Sequence, residues 1–313
     1  MGKIAFIFPG QGSQIAGMGK ELAEQNEQVK AYFDKADEVL DYKLSDFIFN
    51  GPQETLTQTA NAQPALLTTS IAILERVKEL DIKPDYVAGH SLGEYTALVA
   101  AGALSFEDGV YAVRQRGLFM EEAVPSGRGA MSAVLGLDRD LLKKITDEVT
   151  NDRASVQLAN LNSPGQIVIS GTKEGVAIAS ERAKEAGAKR VIPLEVSGPF
   201  HSSLMKPASE QLHNVLQNLN WNHAAVPVIV NVNAEPVQQK DELIRLLVEQ
   251  LYSPVLWEDS VNTMINLGVD TFIEIGPGKV LSGLVKKVSR QVKTFAVQDE
   301  ESFQQLAASL NDE

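Results

Sequence analysis

The chain has 313 residues, of which 44% are hydrophobic and 22% are charged, a composition typical of a globular protein with a large core and room for two domains. Its formal net charge of −13 at pH 7 argues against general binding of nucleic acids, because phosphate backbones would be repelled. It contains no cysteine, which excludes disulfides, thiolate nucleophiles and thiolate metal ligands.

Apolar runs with strand character alternate with helical periodicity along the chain. The first strand is predicted over residues 4–8 and a long helix over residues 65–80. Ser105 and Asp108 have the spacing of a capping box and predict that another helix starts there. This alternation predicts an α/β fold with a mainly parallel sheet, the main body of the protein.

A second pattern starts after Pro125. It is predicted to contain, in order, a strand at 130–135, a helix at 137–149, strands at 155–159 and 166–170, a helix at 174–186 and a strand at 189–196. The order β-α-β-β-α-β is that of a ferredoxin-like unit. We therefore expect a subdomain at residues 126–196, inserted into a large domain made of residues 1–125 and 197–313. The cleft between them is a common place for a ligand site.

The sharpest local signal is Gly89-His90-Ser91-Leu92-Gly93, which follows a strand-like segment and precedes a helix-like one. This is the G-x-S-x-G motif in a strand-turn-helix context, where a tight turn exposes the serine hydroxyl at a helix N-terminus. Backbone N–H groups there can stabilise a developing oxyanion. The alternative is an ordinary turn in which Ser91 only caps the helix.

A serine nucleophile needs a base, and the chain has four histidines. His90 adjoins Ser91 on a sharp turn, and His213 and His223 lie in an amphipathic stretch and a polar loop. His201 follows the last strand of the predicted insert, at the edge of the cleft, and position favours it. Because no histidine follows His223, the chain lacks the Ser-Asp-His order of an ordinary α/β-hydrolase.

Two glycine-containing turns are also candidates for function. Residues 9–14 follow the first strand but match neither a dinucleotide-binding motif nor a P-loop. They form either a connector or a loop whose backbone donors reach the reaction centre. Residues 276–279 are interpreted as a tight turn that serves the fold.

The sequence predicts neither a membrane segment nor a metal site. No apolar run approaches the roughly 18 to 20 residues that cross a bilayer, and Pro9 and Gly10 interrupt the N-terminal apolar stretch, so a cytoplasmic protein is expected. A His-Glu-x-x-His motif and paired histidine spacings are absent.

Seven segments together resemble the malonyl-CoA:acyl carrier protein transacylase family of type II fatty-acid synthesis. They are FPGQGSQ at 8–14, GHSLGE at 89–94, QRG at 115–117, NSPGQIVISG at 162–171, GPFHS at 198–202, EQLYSPV at 249–255 and IGPGKVL at 275–281. Each alone is weak evidence, but seven in the order of the family are specific. The resemblance implies a hydrolase-like main body with a ferredoxin-like insert.

The resemblance also implies roles for individual residues. It assigns the base to His201, oriented by the backbone carbonyl of Gln250 in place of an aspartate, and the oxyanion donors to the amides of Gln11 and Leu92. Arg116 matches the arginine that grips the malonyl carboxylate. A planar guanidinium suits this task because it can form two charge-assisted hydrogen bonds to one carboxylate.

Two further residues, Asn162 and Phe200, match positions that line the acyl pocket of the family. The implied reaction is ping-pong transfer from malonyl-CoA to acyl carrier protein through a malonyl-serine, with no cofactor. The rivals are an acyl-CoA thioesterase or other serine hydrolase, and a non-catalytic module that binds carrier protein.

Because carrier protein and CoA are both acidic, an enzyme of net negative charge needs local cations to meet them. The candidates for a basic rim beside the cleft are Lys189, Arg190, Lys286 and Lys287. Ordinary solvated charges are the alternative interpretation of these four residues.

Overall fold

A computed structural model describes residues 2–125, 127–151 and 153–311. Residue 126, the first residue of the predicted insert, lies outside the described residues. The strands are β1 (Lys3–Phe8), β2 (Tyr86–Gly89), β3 (Gly129–Leu135), β4 (Val156–Ser163), β5 (Gln166–Thr172), β6 (Arg190–Pro193), β7 (Val228–Ile229), β8 (Pro236–Val237), β9 (Val269–Ile275) and β10 (Lys293–Val297).

The helices cover both sheets and connect most of the strands. They are α1 (Lys20–Gln25), α2 (Glu27–Leu40), α3 (Leu44–Asn50), α4 (Gln53–Thr57), α5 (Thr59–Lys78), α6 (Leu92–Ala100), α7 (Phe106–Glu122), α8 (Arg139–Val149), α9 (Lys173–Glu185), α10 (Lys206–Gln217), α11 (Lys240–Gln250), α12 (Trp257–Asn266), α13 (Val280–Val288) and α14 (Glu300–Asn311). Within the described ranges, no helix has both the length and the apolar character needed to span a membrane.

The main sheet has the strand order β10-β9-β1-β2-β7-β8. Every neighbouring pair is parallel except the short β7–β8 pair at one edge. Side chains of the central strand β1 enter two different cores in alternation, with Phe6 and Phe8 on one face and Ala5 and Ile7 on the other. This burial on both faces explains why β1 is a continuous apolar run, and it confirms the predicted α/β fold.

The second sheet has the order β4-β5-β3-β6 and is antiparallel throughout. Helices α8 and α9 pack on it over a separate core that includes Leu142, Ile169 and Val176. The connectivity β3-α8-β4-β5-α9-β6 with this strand order is the ferredoxin-like arrangement predicted from the sequence. The exact division of the chain at 126 and 196 stays a prediction.

Backbone hydrogen bonds join the antiparallel sheet to a connecting segment of the main body. Leu161 N donates to Val255 O at 2.9 Å, and Val255 N donates to Ala159 O at 2.8 Å. Because Val255 belongs to the segment between α11 and α12, strand β4 is fixed directly to the main body.

Several elements differ in extent from the prediction. Strand β4 continues to Ser163 rather than 159, with two register irregularities that leave Ala159 and Asn162 without a paired residue on β5. Strand β6 ends at Pro193 rather than 196, where the chain leaves the sheet. Helix α5 begins at Thr59, before Pro64. Proline lacks the N–H that would bond to Ala60 O, and Arg114 Nη1 donates to that carbonyl instead, at 2.7 Å.

Candidate active site

The turn between β2 and α6 presents the Ser91 hydroxyl to a cavity. Ser91 has φ 52° and ψ −104°, and its side chain makes no capping hydrogen bond to the helix. A Cβ at Gly89 would lie 1.9 Å from the carbonyl carbon of Gly93, and one at Gly93 would lie 2.1 Å from Phe8 O. Both positions therefore require glycine, and the hydroxyl is free for another partner, contrary to the capping interpretation.

That partner is His201. Its Nε2 lies 2.7 Å from Ser91 Oγ, and its Nδ1 lies 2.9 Å from the backbone oxygen of Gln250. Since a carbonyl only accepts, Nδ1 carries the proton and Nε2 is left as the acceptor for the serine hydroxyl. Burial, together with the nearby positive charge of Arg116, lowers the pKa of His201 to about 3, so the imidazole is neutral and available as a base at neutral pH.

The other histidines have different surroundings. His90 Nε2 lies 2.8 Å from Asn162 Oδ1, and its ring packs against Trp257. His223 is exposed and accepts from Lys240 N, while His213 is half-buried on α10. The structure therefore brings His201, and none of the other three, to the serine hydroxyl.

Arg116 on α7 is the second group at Ser91. Its Nη2 donates to Ser91 Oγ at 3.1 Å and to Gln250 Oε1 at 3.0 Å, and its Nη1 donates to Gln63 Oε1 at 2.8 Å. The side chain is 1% exposed, and burial lowers its pKa. Its Nε has no partner among the described residues. A buried guanidinium bonded to neutral oxygens has unused capacity for an anion.

A cavity of about 630 Å³ opens above these groups. Its walls come from both sheets, since Gln11 and Ser91 belong to the main body, whereas Met131 and Asn160 lie on β3 and β4. Phe200 also lines the cavity, and its assignment to an acyl pocket stays a prediction. Asn162 is not among the lining residues; it contacts the cavity through His90.

The two predicted oxyanion donors belong to different segments of the chain. Leu92 N is the first amide of α6 and has no acceptor inside the helix. Gln11 follows β1 and lines the cavity, and its side chain is held by a 3.0 Å bond from Nε2 to Thr59 Oγ1.

Comparison with known proteins agrees with this geometry. The family model described as "Acyl transferase domain" matches residues 5–308. The chain belongs to the acyl transferase family. It is 64% identical over 313 residues to the malonyl CoA-acyl carrier protein transacylase of Bacillus subtilis, a match that covers 100% of this chain and 99% of the relative.

Solved structures give the same result for this acyl transferase. The acyl-carrier-protein-S-malonyltransferase of Bartonella henselae superposes with a TM-score of 0.95 at 42% identity, and 99% of each chain is covered. A malonyl-transacylase in complex with a type II PKS acyl-carrier protein superposes with a TM-score of 0.94 at 42% identity, covering 98% of this chain and 99% of that one.

The four predicted rim residues of the acyl transferase lie around the β4–β5 turn rather than in the cavity wall. Lys287 Nζ donates to Gln166 Oε1 at 2.7 Å, and Lys286 and Lys287 share a surface groove with Arg290, which the sequence analysis missed. Lys189 packs on Gly136, beside the turn, and Arg190 pairs with Leu135 in the sheet. We call these five residues, Lys189, Arg190, Lys286, Lys287 and Arg290, the basic patch.

Sequence reasoning also missed two residues that hold the serine turn. Asn231 Oδ1 accepts from Ser91 N at 2.7 Å, and its Nδ2 donates to Gly89 O at 2.7 Å. Glu94 Oε2 accepts from Asn231 N at 2.8 Å and from Gln250 Nε2 at 3.0 Å. Glu94 is within the GHSLGE segment, but nothing local indicates its distant partners.

Proposed function

We propose that this acyl transferase moves the malonyl group of malonyl-CoA to the phosphopantetheine thiol of an acyl carrier protein through a malonyl ester on Ser91. The observation that carries the proposal is the double contact at Ser91 Oγ, with the His201 imidazole at 2.7 Å and the Arg116 guanidinium at 3.1 Å. The names of the relatives support the same reaction.

Arg116 supports malonyl as the acyl group. Only two carbon–carbon bonds separate the malonyl carboxylate carbon from the thioester carbonyl carbon, so a cation that holds the carboxylate must lie beside the nucleophile. Arg116 is in that place, and its fork can form two charge-assisted hydrogen bonds. An acetyl group would leave this buried cation without an anion, and it should therefore react poorly.

In the first half-reaction, His201 Nε2 takes the proton of Ser91 as Oγ attacks the thioester carbonyl of malonyl-CoA. The amides of Gln11 and Leu92 are the proposed donors to the oxyanion. When the intermediate collapses, the carbon–sulfur bond breaks, and the imidazolium returns its proton to the leaving CoA thiolate. The product is the malonyl ester of Ser91.

In the second half-reaction, His201 takes the proton of the phosphopantetheine thiol, and the sulfur attacks the ester carbonyl. Collapse breaks the ester bond, and His201 returns the proton to Ser91 Oγ. The hydrogen bond from His201 Nδ1–H to Gln250 O keeps the same tautomer ready for both steps.

The basic patch is the proposed meeting place for the acidic carrier protein, because it gathers positive charge on a chain with a net charge of −13. The remaining sequence-based expectations, a cytoplasmic location and a reaction without metal or cofactor, stay predictions.

The test is to incubate the protein with malonyl-CoA and weigh the peptide that contains Ser91. We expect the mass of a malonyl group, lost again when carrier protein with a free phosphopantetheine thiol is added, with malonyl-carrier as the product. Release of free malonate instead would identify a thioesterase. An unmodified serine under conditions of turnover would refute the covalent step, and no turnover at all would favour a carrier-binding module.

A further inference from the structure

Glu94 is a buried carboxylate three residues after Ser91 that makes no contact with the reacting groups themselves. It is fully buried at the start of α6, and Oε2 accepts from Asn231 N and Gln250 Nε2 while Oε1 has no partner in the described part of the chain. No lysine or arginine of the described residues is within ion-pair distance of it. A buried carboxylate in this situation is costly unless another charge balances it.

The side chain of Gln250 connects Glu94 to Arg116. Its Nε2 donates to Glu94 Oε2 at 3.0 Å, and its Oε1 accepts from Arg116 Nη2 at 3.0 Å. A single neutral amide therefore lies between two buried groups of opposite charge, each without a direct ionic partner. Through this amide, each group is the counter-charge of the other.

We propose that Glu94 is a positioning residue that balances the charge of Arg116 in the free enzyme and takes up a proton from solvent when the malonyl carboxylate binds to Arg116. The inference rests on the proposed function, in which Arg116 holds that carboxylate. Once the substrate carboxylate pairs with the guanidinium, Glu94 loses its counter-charge, and two carboxylates around one cation favour protonation of the buried one. An acetyl group carries no carboxylate, so its binding leaves the protonation of Glu94 unchanged.

The surroundings of Glu94 agree with a role near neutral pH. Burial raises its pKa to about 7, against the opposing hydrogen bonds and the charge of Arg116 on α7. Tyr95 on the same helix has a pKa raised by burial, and the pKa of His201 is about 3, so both stay neutral near pH 7. On the β7 and α11 sides, Asn231 and Gln250 are neutral amides. Because a pKa of about 7 leaves part of the Glu94 population ionised at pH 7, binding should take up a fraction of a proton there.

The experiment measures proton uptake by calorimetry. S-malonyl-pantetheine, which lacks the phosphates of CoA, is titrated into the Ser91→Ala enzyme at pH 7 and pH 8, in pairs of buffers with different ionisation enthalpies. We expect measurable proton uptake at pH 7, more at pH 8, and a malonyl affinity that falls as pH rises. S-acetyl-pantetheine should show no uptake.

The matched control adds Glu94→Gln. The amide oxygen of glutamine can keep both hydrogen bonds made to Oε2, while its NH₂ group occupies the unpartnered side, so only the charge is lost. We expect no uptake and a malonyl affinity independent of pH. Zero uptake with Glu94 intact, or equal uptake in both proteins, would overturn the inference.

The acetyl comparison keeps the inference testable if Glu94→Gln does not fold. Equal uptake for malonyl and acetyl ligands in the Ser91→Ala enzyme would also overturn it. Failure of the proposed function gives a different result, since the intact enzyme would then form no malonyl-Ser91 with malonyl-CoA.

Discussion

Ser91 Oγ is hydrogen-bonded to two buried nitrogen groups that differ in their chemistry. The imidazole of His201 accepts the hydroxyl proton, while the guanidinium of Arg116 donates to the same oxygen. In the free enzyme the arginine therefore lies where it can bind the far end of a short dicarboxylic acyl group. The catalytic base and the group proposed to select the malonyl substrate are therefore both hydrogen-bonded directly to the nucleophile.

Replacing Arg116 should abolish the preference for malonyl. We expect Arg116→Ala to lower kcat/KM for malonyl-CoA by about 100-fold or more, since two hydrogen bonds to a charged group are lost and each is worth roughly 1.5–3 kcal/mol, with a much smaller effect on acetyl-CoA. Steady-state kinetics with both substrates measures the ratio. Arg139→Ala, which removes an exposed arginine paired with Asp259, is the control. An unchanged malonyl-to-acetyl ratio would remove Arg116 from the acyl pocket.

The sequence indicates some of these residues and not others, for a physical reason. Ser91 sits in a local motif whose glycines are required by a tight turn, so five consecutive residues identify it. His201 was favoured by its place in the chain, and the resemblance assigned it. Asn231 is 140 residues from Ser91 and Glu94 is 156 from Gln250, so only the folded chain shows that they are bonded.

At the scale of elements, the turn between β2 and α6 depends on the close approach of three backbone segments. Gly93 packs on Phe8 O of β1, so the helix start, the nucleophile and the central strand share one contact. The left-handed φ of Ser91 is kept because Asn231 bonds to Ser91 N and Gly89 O on one side of it, and Gln250 Nε2 donates to Ser91 O on the other. Such strain persists only where the surroundings fix it.

A methyl group at Gly93 should therefore destabilise the protein. Gly93→Ala places a Cβ 2.1 Å from Phe8 O, and we expect a loss of about 3 kcal/mol, the upper range for overpacking, together with lost transferase activity. The midpoint of urea unfolding measures the change. Gly283→Ala is the control, because it lies in helix α13 with nothing within 4 Å and should gain up to about 1 kcal/mol. A Gly93→Ala midpoint equal to that of the parent would contradict this account.

Element type was more predictable than element extent. The apolar alternation identified β1 and the four strands of the second sheet, but the ends of β4 and β6 depend on tertiary contacts. Strand β6 stops where residues 194–197 turn to line the cavity. Helix α5 extends beyond its proline because Arg114, on another helix, satisfies the freed carbonyl of Ala60.

At the scale of the whole molecule, charge is unevenly placed. The chain is acidic overall, yet the basic patch gathers five cationic residues from β6, the segment before it, α13 and the loop after α13. The sequence could name four of these residues but not their common location, since the patch forms only when the second sheet packs beside α13. Local positive charge of this kind favours encounter with an acidic partner.

Reversing the charge of the patch should weaken use of the carrier protein. We expect Lys286→Glu with Lys287→Glu to raise the KM for carrier protein about tenfold at low salt, with less effect at high salt and no effect on acylation by malonyl-pantetheine. The control, Lys30→Glu with Lys35→Glu on α2, makes the same change in net charge at exposed residues. A carrier KM unchanged by reversal in the patch would exclude it as the docking surface.

The backbone hydrogen bonds between β4 and Val255 fix one wall of the cavity to the main body. Val255 lies five residues after Gln250, whose carbonyl orients His201. Leu194 and Val196, which also line the cavity, are exposed apolar side chains. The groups that orient the reacting atoms are thus close in the chain to a junction held by backbone hydrogen bonds, whereas the exposed apolar part of the cavity wall lies outside that junction.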